Sequence, residues 1–297
     1  MRWTGVFPAV TTQFSENLSV DISATQGVID NLIKDGVHGL TMLGTCGENN
    51  SLEPEEKLQV LSAACETAKG RVPVIVGVSE LTTPRAVQFA KEATRIGANA
   101  LMLLPAMVYV PKNHEMVAHF KAVADVTDLP IMLYNNPTAY RVNIGMDVLE
   151  KLSAIENIVA IKESSADTRR YTDVYNNFGD RFIVMAGLDD VAFEGLTLGA
   201  KGWISGLTSA FPQESVELVE ALARGDLERA LTIYRWFMPL LHLDAEHDLV
   251  QSIKLAEQIM GRGNERVRMP RMPLEGARRK EITEMVEKAA QNRPCGK

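Results

Sequence analysis

Ile158-Val159-Ala160-Ile161-Lys162-Glu163-Ser164-Ser165 is an apolar run, rich in β-branched residues, that ends abruptly in a lysine. Apolar residues at consecutive positions, rather than alternate ones, mark a strand buried on both faces, as strands of parallel sheets are. Seven further runs of this kind punctuate the chain, so that the eight cover residues 5–12, 39–44, 73–78, 100–105, 130–135, 158–164, 182–187 and 202–206. Stretches with helical periodicity lie between them, including 23–34, 54–69 and 84–96. Strand and helix in strict alternation imply a parallel sheet with crossover helices.

Eight units favour closure into a (β/α)8 TIM barrel, an α/β fold. An open doubly wound sheet would carry a Gly-rich phosphate loop after its first strand, and none follows Thr12. Beyond residue 206 the pattern becomes purely helical, at 212–224, 227–243, 248–260 and 274–290, with a proline-bearing loop at 261–273. The expected organisation is a barrel over 1–223 and a C-terminal helical extension over 224–297 packed on it.

The 297 residues carry 31 Lys+Arg against 38 Asp+Glu, a net charge of −7, so no basic field draws the chain to nucleic acid or anionic membrane. Hydrophobic residues make up 46%, enough for a full core. The first twelve residues lack the apolar core of a signal peptide, and no run approaches the ~20 apolar residues of a membrane span, so a cytoplasmic protein is expected. Cys46, Cys65 and Cys295 are odd in number and scattered, which points to reduced thiols and away from disulfides or zinc. His242 and His247 are five apart, off a common helical face, and read as surface or interface residues rather than metal ligands.

In a closed barrel, chemistry collects at the C-terminal strand ends. Those ends are polar here: Thr45-Cys46-Gly47-Glu48, Tyr134-Asn135-Asn136, Lys162-Glu163-Ser164, Gly187-Leu188-Asp189 and Ile204-Ser205. Lys162 follows an apolar strand, where an ammonium is costly and a neutral amine becomes a nucleophile toward carbonyls. It also reads as a lysine paired with a carboxylate or reaching past the rim. Tyr134 suits a proton relay, or else a core tyrosine bonded at the rim. Thr45, Cys46 and Gly47 offer backbone N–H groups for a carboxylate, or simply a tight strand-to-helix turn. Met107 and Met116 fill core gaps or line the pocket.

Taken together, Gly44-Thr45-Cys46-Gly47-Glu48, Tyr134-Asn135-x-Pro137 and Ile161-Lys162-Glu163 resemble the dihydrodipicolinate synthase and N-acetylneuraminate lyase superfamily, along nearly the whole chain. The resemblance implies a covalent Schiff base at Lys162 with no metal or organic cofactor. It makes Tyr134 the proton relay and Thr45 its hydrogen-bonding partner. Thr45, Cys46 and Gly47 become the clamp on the substrate carboxylate, with Asn136, Ser164, Gly187, Ile204 and Ser205 around the bound keto acid. Tyr109 resembles the tyrosine lent to a neighbouring subunit, and a homotetramer is implied.

Two departures bear on the substrate. Where dihydrodipicolinate synthases hold the second substrate's carboxylate with an arginine, this chain has Ala139, with Arg141 two residues on; Cys46 replaces the usual Thr or Ser. The motifs, with Ala186-Gly187-Leu188-Asp189-Asp190 and Trp236-Phe237-Met238-Pro239, are most similar to the 1-pyrroline-4-hydroxy-2-carboxylate deaminases, which release ammonia and 2,5-dioxopentanoate. Dehydration of a 2-oxo-3-deoxy sugar acid and retro-aldol cleavage of 4-hydroxy-2-oxoglutarate use the same lysine and stand as alternatives. A non-catalytic sensor of keto acids would leave the intact lysine and tyrosine motifs without a purpose.

Overall fold

The computed structural model describes residues 3–106 and 109–295. Met107 and Val108 lie outside the described residues. Eight parallel strands form one sheet: β1 (Gly5–Pro8), β2 (Leu40–Met42), β3 (Val74–Val78), β4 (Ala100–Leu103), β5 (Ile131–Asn135), β6 (Ile158–Glu163), β7 (Ile183–Ala186) and β8 (Gly202–Ser205). Each pairs with its sequence neighbour, and β1 pairs with β8 from Gly5 opposite Gly202 to Pro8 opposite Ser205. The seam between β1 and β2 is tied by a parallel bridge at Ala9 and Thr41, with the Val10 N–H donating to the Thr41 carbonyl at 2.9 Å. The expected (β/α)8 barrel with a helical C-terminal segment is therefore the fold.

Local signals set where the helices start. Asp21 caps Ile22–Lys34 by accepting from the Ala24 N–H at 2.8 Å, filling one of the orphan donors of a first turn. Pro54, Pro84 and Pro212 each stand in the first turn of a helix, where a missing N–H costs nothing. The strands are buried on both faces almost throughout, because helices cover the outside and side chains fill the inside.

The helices after β8 are knitted to the barrel by aromatics. Phe237, from Leu227–Leu241, meets Phe211 edge-on at 5.7 Å and Trp203 of β8 at 6.4 Å, and all three are fully buried. Burying such rings contributes about 1.5–3 kcal/mol each. The periodicity had extended this helix to residue 243. It ends at Leu241, and His242–Ala245 winds into a tighter turn that bends the chain back over the C-terminal mouth of the barrel.

Candidate active site

Strand register brings the first two candidates together. Tyr134 of β5 and Lys162 of β6 are direct neighbours across the ladder, and the Lys162 ammonium sits 4.1 Å from the centre of the Tyr134 ring. Side chains on adjacent strands at one level share a face, so both enter the barrel, while the next residue, Glu163, faces the helices. There Glu163 accepts from Asn135 Nδ2 at 3.0 Å, from Arg170 Nε at 2.7 Å and from the Ser165 N–H at 2.8 Å. This buried knot fixes the strand end that carries Lys162. Gly187 leaves room for the lysine stem, since a methyl there would lie 2.6 Å from Lys162 Cγ and 2.3 Å from Ser164 Oγ.

Burial works against the Lys162 charge, as the apolar strand implied. The Tyr134 phenol, the Asp244 carboxylate and the Cys46 thiol outweigh it and hold the amine above its ordinary value. The expectation that desolvation alone would neutralise this lysine is thus corrected: its neighbours keep it charged until a proton is taken away. Burial pushes the Cys46 thiol far up, so it stays protonated and unreactive.

The turn after β2 is the most constrained backbone at the mouth. Leu43 and Glu48 bracket it in the left-handed region, at φ 55° and 53°, a conformation that costs a non-glycine residue roughly 1–3 kcal/mol. The turn is held open from two sides. Thr12 Oγ1 donates to the Gly47 carbonyl at 2.7 Å, and Asn49 Nδ2 donates to the Leu43 carbonyl at 3.0 Å. The backbone N–H groups of Thr45 and Cys46 have no acceptor among the described residues, and both residues line the pocket. Two such donors side by side form a ready site for an anion.

Glu48 anchors this turn from below. Its Oε1 accepts from Lys254 Nζ at 3.0 Å and its Oε2 from the Arg268 N–H at 3.0 Å, with both side chains of the ion pair fully buried. Lys254 belongs to the helix Leu249–Ile259, whose Glu257 also accepts from Thr11 Oγ1 at 2.7 Å. The C-terminal segment therefore plugs charged groups into the loops after β1 and β2.

The loop after β5 supplies a residue that the sequence did not reveal. Asn136 caps a single helical turn, Pro137–Tyr140, through the Ala139 N–H at 2.9 Å, and its amide donates to the Tyr134 hydroxyl at 3.1 Å. That turn swings Tyr140 back so that its hydroxyl bonds Thr45 Oγ1, while its ring meets Tyr134 edge-on at 5.9 Å. The partner of Thr45 is thus Tyr140, not Tyr134 as expected. Motif reading joined the two known positions and had no signal for a third aromatic. Burial and the neighbouring Tyr134 push the Tyr140 hydroxyl up, so it remains a neutral donor.

Seven of the expected residues converge on one pocket: Lys162, Tyr134, Thr45, Cys46, Asn136, Gly187 and Ile204. Four do not line it. Gly47 is packed against Leu43 and Val10 beneath the turn, and Ser205 donates instead to Asp189 at 3.1 Å. The Ser164 hydroxyl is buried beside Gly187 with no partner among the described residues. Tyr109 is 59% exposed, outside this chain's own pocket. Ala139 lines the pocket, and Arg141 is exposed away from it.

Asp244 and Leu249 of the C-terminal segment also line the pocket, and the sequence pointed to neither. Asp244 Oδ2 accepts from the Asp189 N–H at 3.3 Å. Burial raises its carboxyl to about 6 against the pull of Lys162. Asp189 itself is occupied by Trp203 Nε1 at 2.9 Å, Ser205 Oγ and the Leu207 N–H at 3.0 Å. Lys162 is the only cationic side chain among the described residues lining the pocket. Among the described residues no group of His, Cys, Asp and Glu is arranged to hold a metal ion, and no helix is long and apolar enough to cross a membrane.

A lysine and a tyrosine on neighbouring barrel strands, facing an N–H pair that suits a carboxylate, also characterise the proteins this chain is similar to. The family model described as dihydrodipicolinate synthetase family matches residues 2–289. A 4-hydroxy-tetrahydrodipicolinate synthase of Halalkalibacterium halodurans is 31% identical over 97% of this chain and 98% of its own length. One from Rhodopseudomonas palustris is 33% identical over 91% of each. The dihydrodipicolinate synthase of Aquifex aeolicus superposes with a TM-score of 0.93 at 30% identity, over 99% of this chain and 100% of that one. A prophage protein of E. coli K12 of the same family, solved with pyruvate, gives 0.92 at 27% identity over 98% and 99%. With that match along almost its whole length, the chain belongs to the dihydrodipicolinate synthetase family, enzymes of the class I Schiff-base lyase superfamily.

Proposed function

We propose that the protein deaminates 1-pyrroline-4-hydroxy-2-carboxylate, with Lys162 as the nucleophile, giving 2,5-dioxopentanoate and ammonia. The observation that carries this reading is the charge of the pocket lining. One anion site lies at Thr45 and Cys46, and toward the outer end stand Ala139, Asn136 and the acid Asp244. A substrate with one carboxylate and a neutral, hydroxylated remainder suits it. A second carboxylate would meet Asp244 with no cation to answer it. This argues against the synthase substrates that the relatives' names imply, and equally against cleavage of 4-hydroxy-2-oxoglutarate.

In this reading the substrate carboxylate accepts from the Thr45 and Cys46 N–H groups, and Lys162 adds to C2 after giving up a proton. The protonated Schiff base acidifies C3, and Tyr134 carries that proton away, its hydroxyl oriented by Asn136. Loss of the 4-hydroxyl and hydrolysis then release ammonia. Dehydration of a 2-oxo-3-deoxy pentonate satisfies the same lining and differs only in lacking nitrogen.

The test is ammonia release from the pyrroline substrate, generated in place from a 4-hydroxy-D-proline. Release of ammonia together with 2,5-dioxopentanoate supports the deaminase. Dioxopentanoate from the deoxy acid alone would transfer the assignment to a dehydratase.

Thr45 and Tyr140 are expected to act as a unit. Thr45→Val and Tyr140→Phe should each lower kcat by about 10- to 100-fold, within the span of a proton-transfer contribution. The double variant should be no worse than either single one, because one bond is lost in all three. Additive losses would mean the two hydroxyls work separately.

A further inference from the structure

We propose that Asp244 is the acid that protonates the departing 4-hydroxyl of the substrate, which makes this pocket one for β-elimination from a 4-hydroxy-2-oxo or 2-imino monocarboxylate. This deepens the reading above and rests on it.

Three observations carry it. First, the tight turn His242–Ala245 delivers Asp244 to the pocket wall, next to the turn of Cys46 and the end of β8: a methyl added at Gly206 would lie 2.8 Å from Asp244 Oδ1 and 3.3 Å from Cys46 Sγ. Second, its two oxygens are used differently. Oδ2 is fixed by the Asp189 N–H, whereas Oδ1 has no donor among the described residues, so one oxygen is left for a ligand. The carboxylate behind it, Asp189, is fully engaged by Trp203, Ser205 and Leu207 and serves as a rigid base plate. Third, Lys162 is the cation that draws Asp244 toward its charged form, while burial and Asp190 oppose it. When the Lys162 nitrogen becomes a neutral enamine, that pull disappears. The carboxyl then favours its protonated form at the stage when hydroxide must leave as water.

The step balances as follows. The Lys162 enamine nitrogen gives its pair to C2 and becomes an iminium, and the C2–C3 double-bond pair moves to C3–C4. The C4–O bond breaks onto oxygen, and the Asp244 carboxyl proton goes to that oxygen. Water leaves, and the carboxylate remains opposite the new iminium charge until solvent reprotonates it.

A fluoride leaving group separates this role from a structural one, because fluoride departs without a proton. Wild type and Asp244→Asn would be compared on 1-pyrroline-4-hydroxy-2-carboxylate and on its 4-fluoro analogue, reading ammonia and fluoride. The expected result is a loss of about 100-fold or more on the hydroxy substrate, the lower range for an acid catalyst, with fluoride release changed less than about 10-fold. Asp244→Glu should recover part of the hydroxy rate. Equal losses on both substrates, or no loss on the hydroxy substrate, would overturn the proposal and leave the deaminase reading intact. A wild-type protein that eliminates from neither would overturn both.

Discussion

Lys162→Ala protein is expected to fold and to have lost turnover by about ten-thousandfold or more, as enzymes do when their covalent nucleophile is removed. The side chain is nearly fully buried yet faces the pocket, so its removal leaves a gap beside Tyr134 rather than a broken core. A charged lysine against Tyr134 and Asp244 stabilises little once its own desolvation is counted, which is why folding should survive. Borohydride with pyruvate as a probe should attach carbon to the wild type at this one lysine and not to the variant. Comparable turnover in the variant would remove the Schiff-base mechanism altogether.

Lys254→Met is expected to lower stability by about 3–5 kcal/mol, the usual result of removing one partner of a buried ion pair. Lys254 donates to Glu48, to the Thr12 carbonyl at 2.8 Å and to the Arg266 carbonyl, and lies 4.4 Å from the centre of the Phe14 ring. With methionine there, Glu48 keeps only the Arg268 N–H and is left charged in the core. Thermal unfolding should fall by about 10 °C, at a few degrees per kcal/mol for a chain of this size. Pairing the change with Glu48→Gln should restore part of the loss by removing the stranded charge. If the single variant unfolds like wild type, the pair does not hold the β2 turn.

The barrel was legible because its strands are short, doubly buried and regularly spaced, and the eight observed strands fall within the eight predicted runs. Lys162 and Tyr134 were legible for a related reason: a polar residue closing an apolar strand has few places to go in a barrel. What stayed hidden was contact between distant segments. Thr45 and Tyr140 are 95 residues apart, and a one-turn helix of four residues leaves no periodicity to read. Asp244 sat among residues that draw attention only as a false metal motif, and its direction depends on where the preceding helix stops. Ser205 and Gly47 were placed correctly at strand ends, but which way a strand-end residue faces is settled by neighbours such as Asp189 and Thr12.

The C-terminal segment contributes Asp244 to the far end of the pocket while the barrel contributes Lys162 and Tyr134 to the near end. Electron-sink chemistry and substrate choice are thereby written in two separable stretches of gene. Exchanging the stretch from the tight turn onward between relatives should transplant preference without disturbing imine formation. The graft must carry its own counterpart to Glu48, because Lys254 is both the bolt of the exchanged piece and the support of the carboxylate clamp. Drift in substrate is thus easier for this architecture than drift in reaction type.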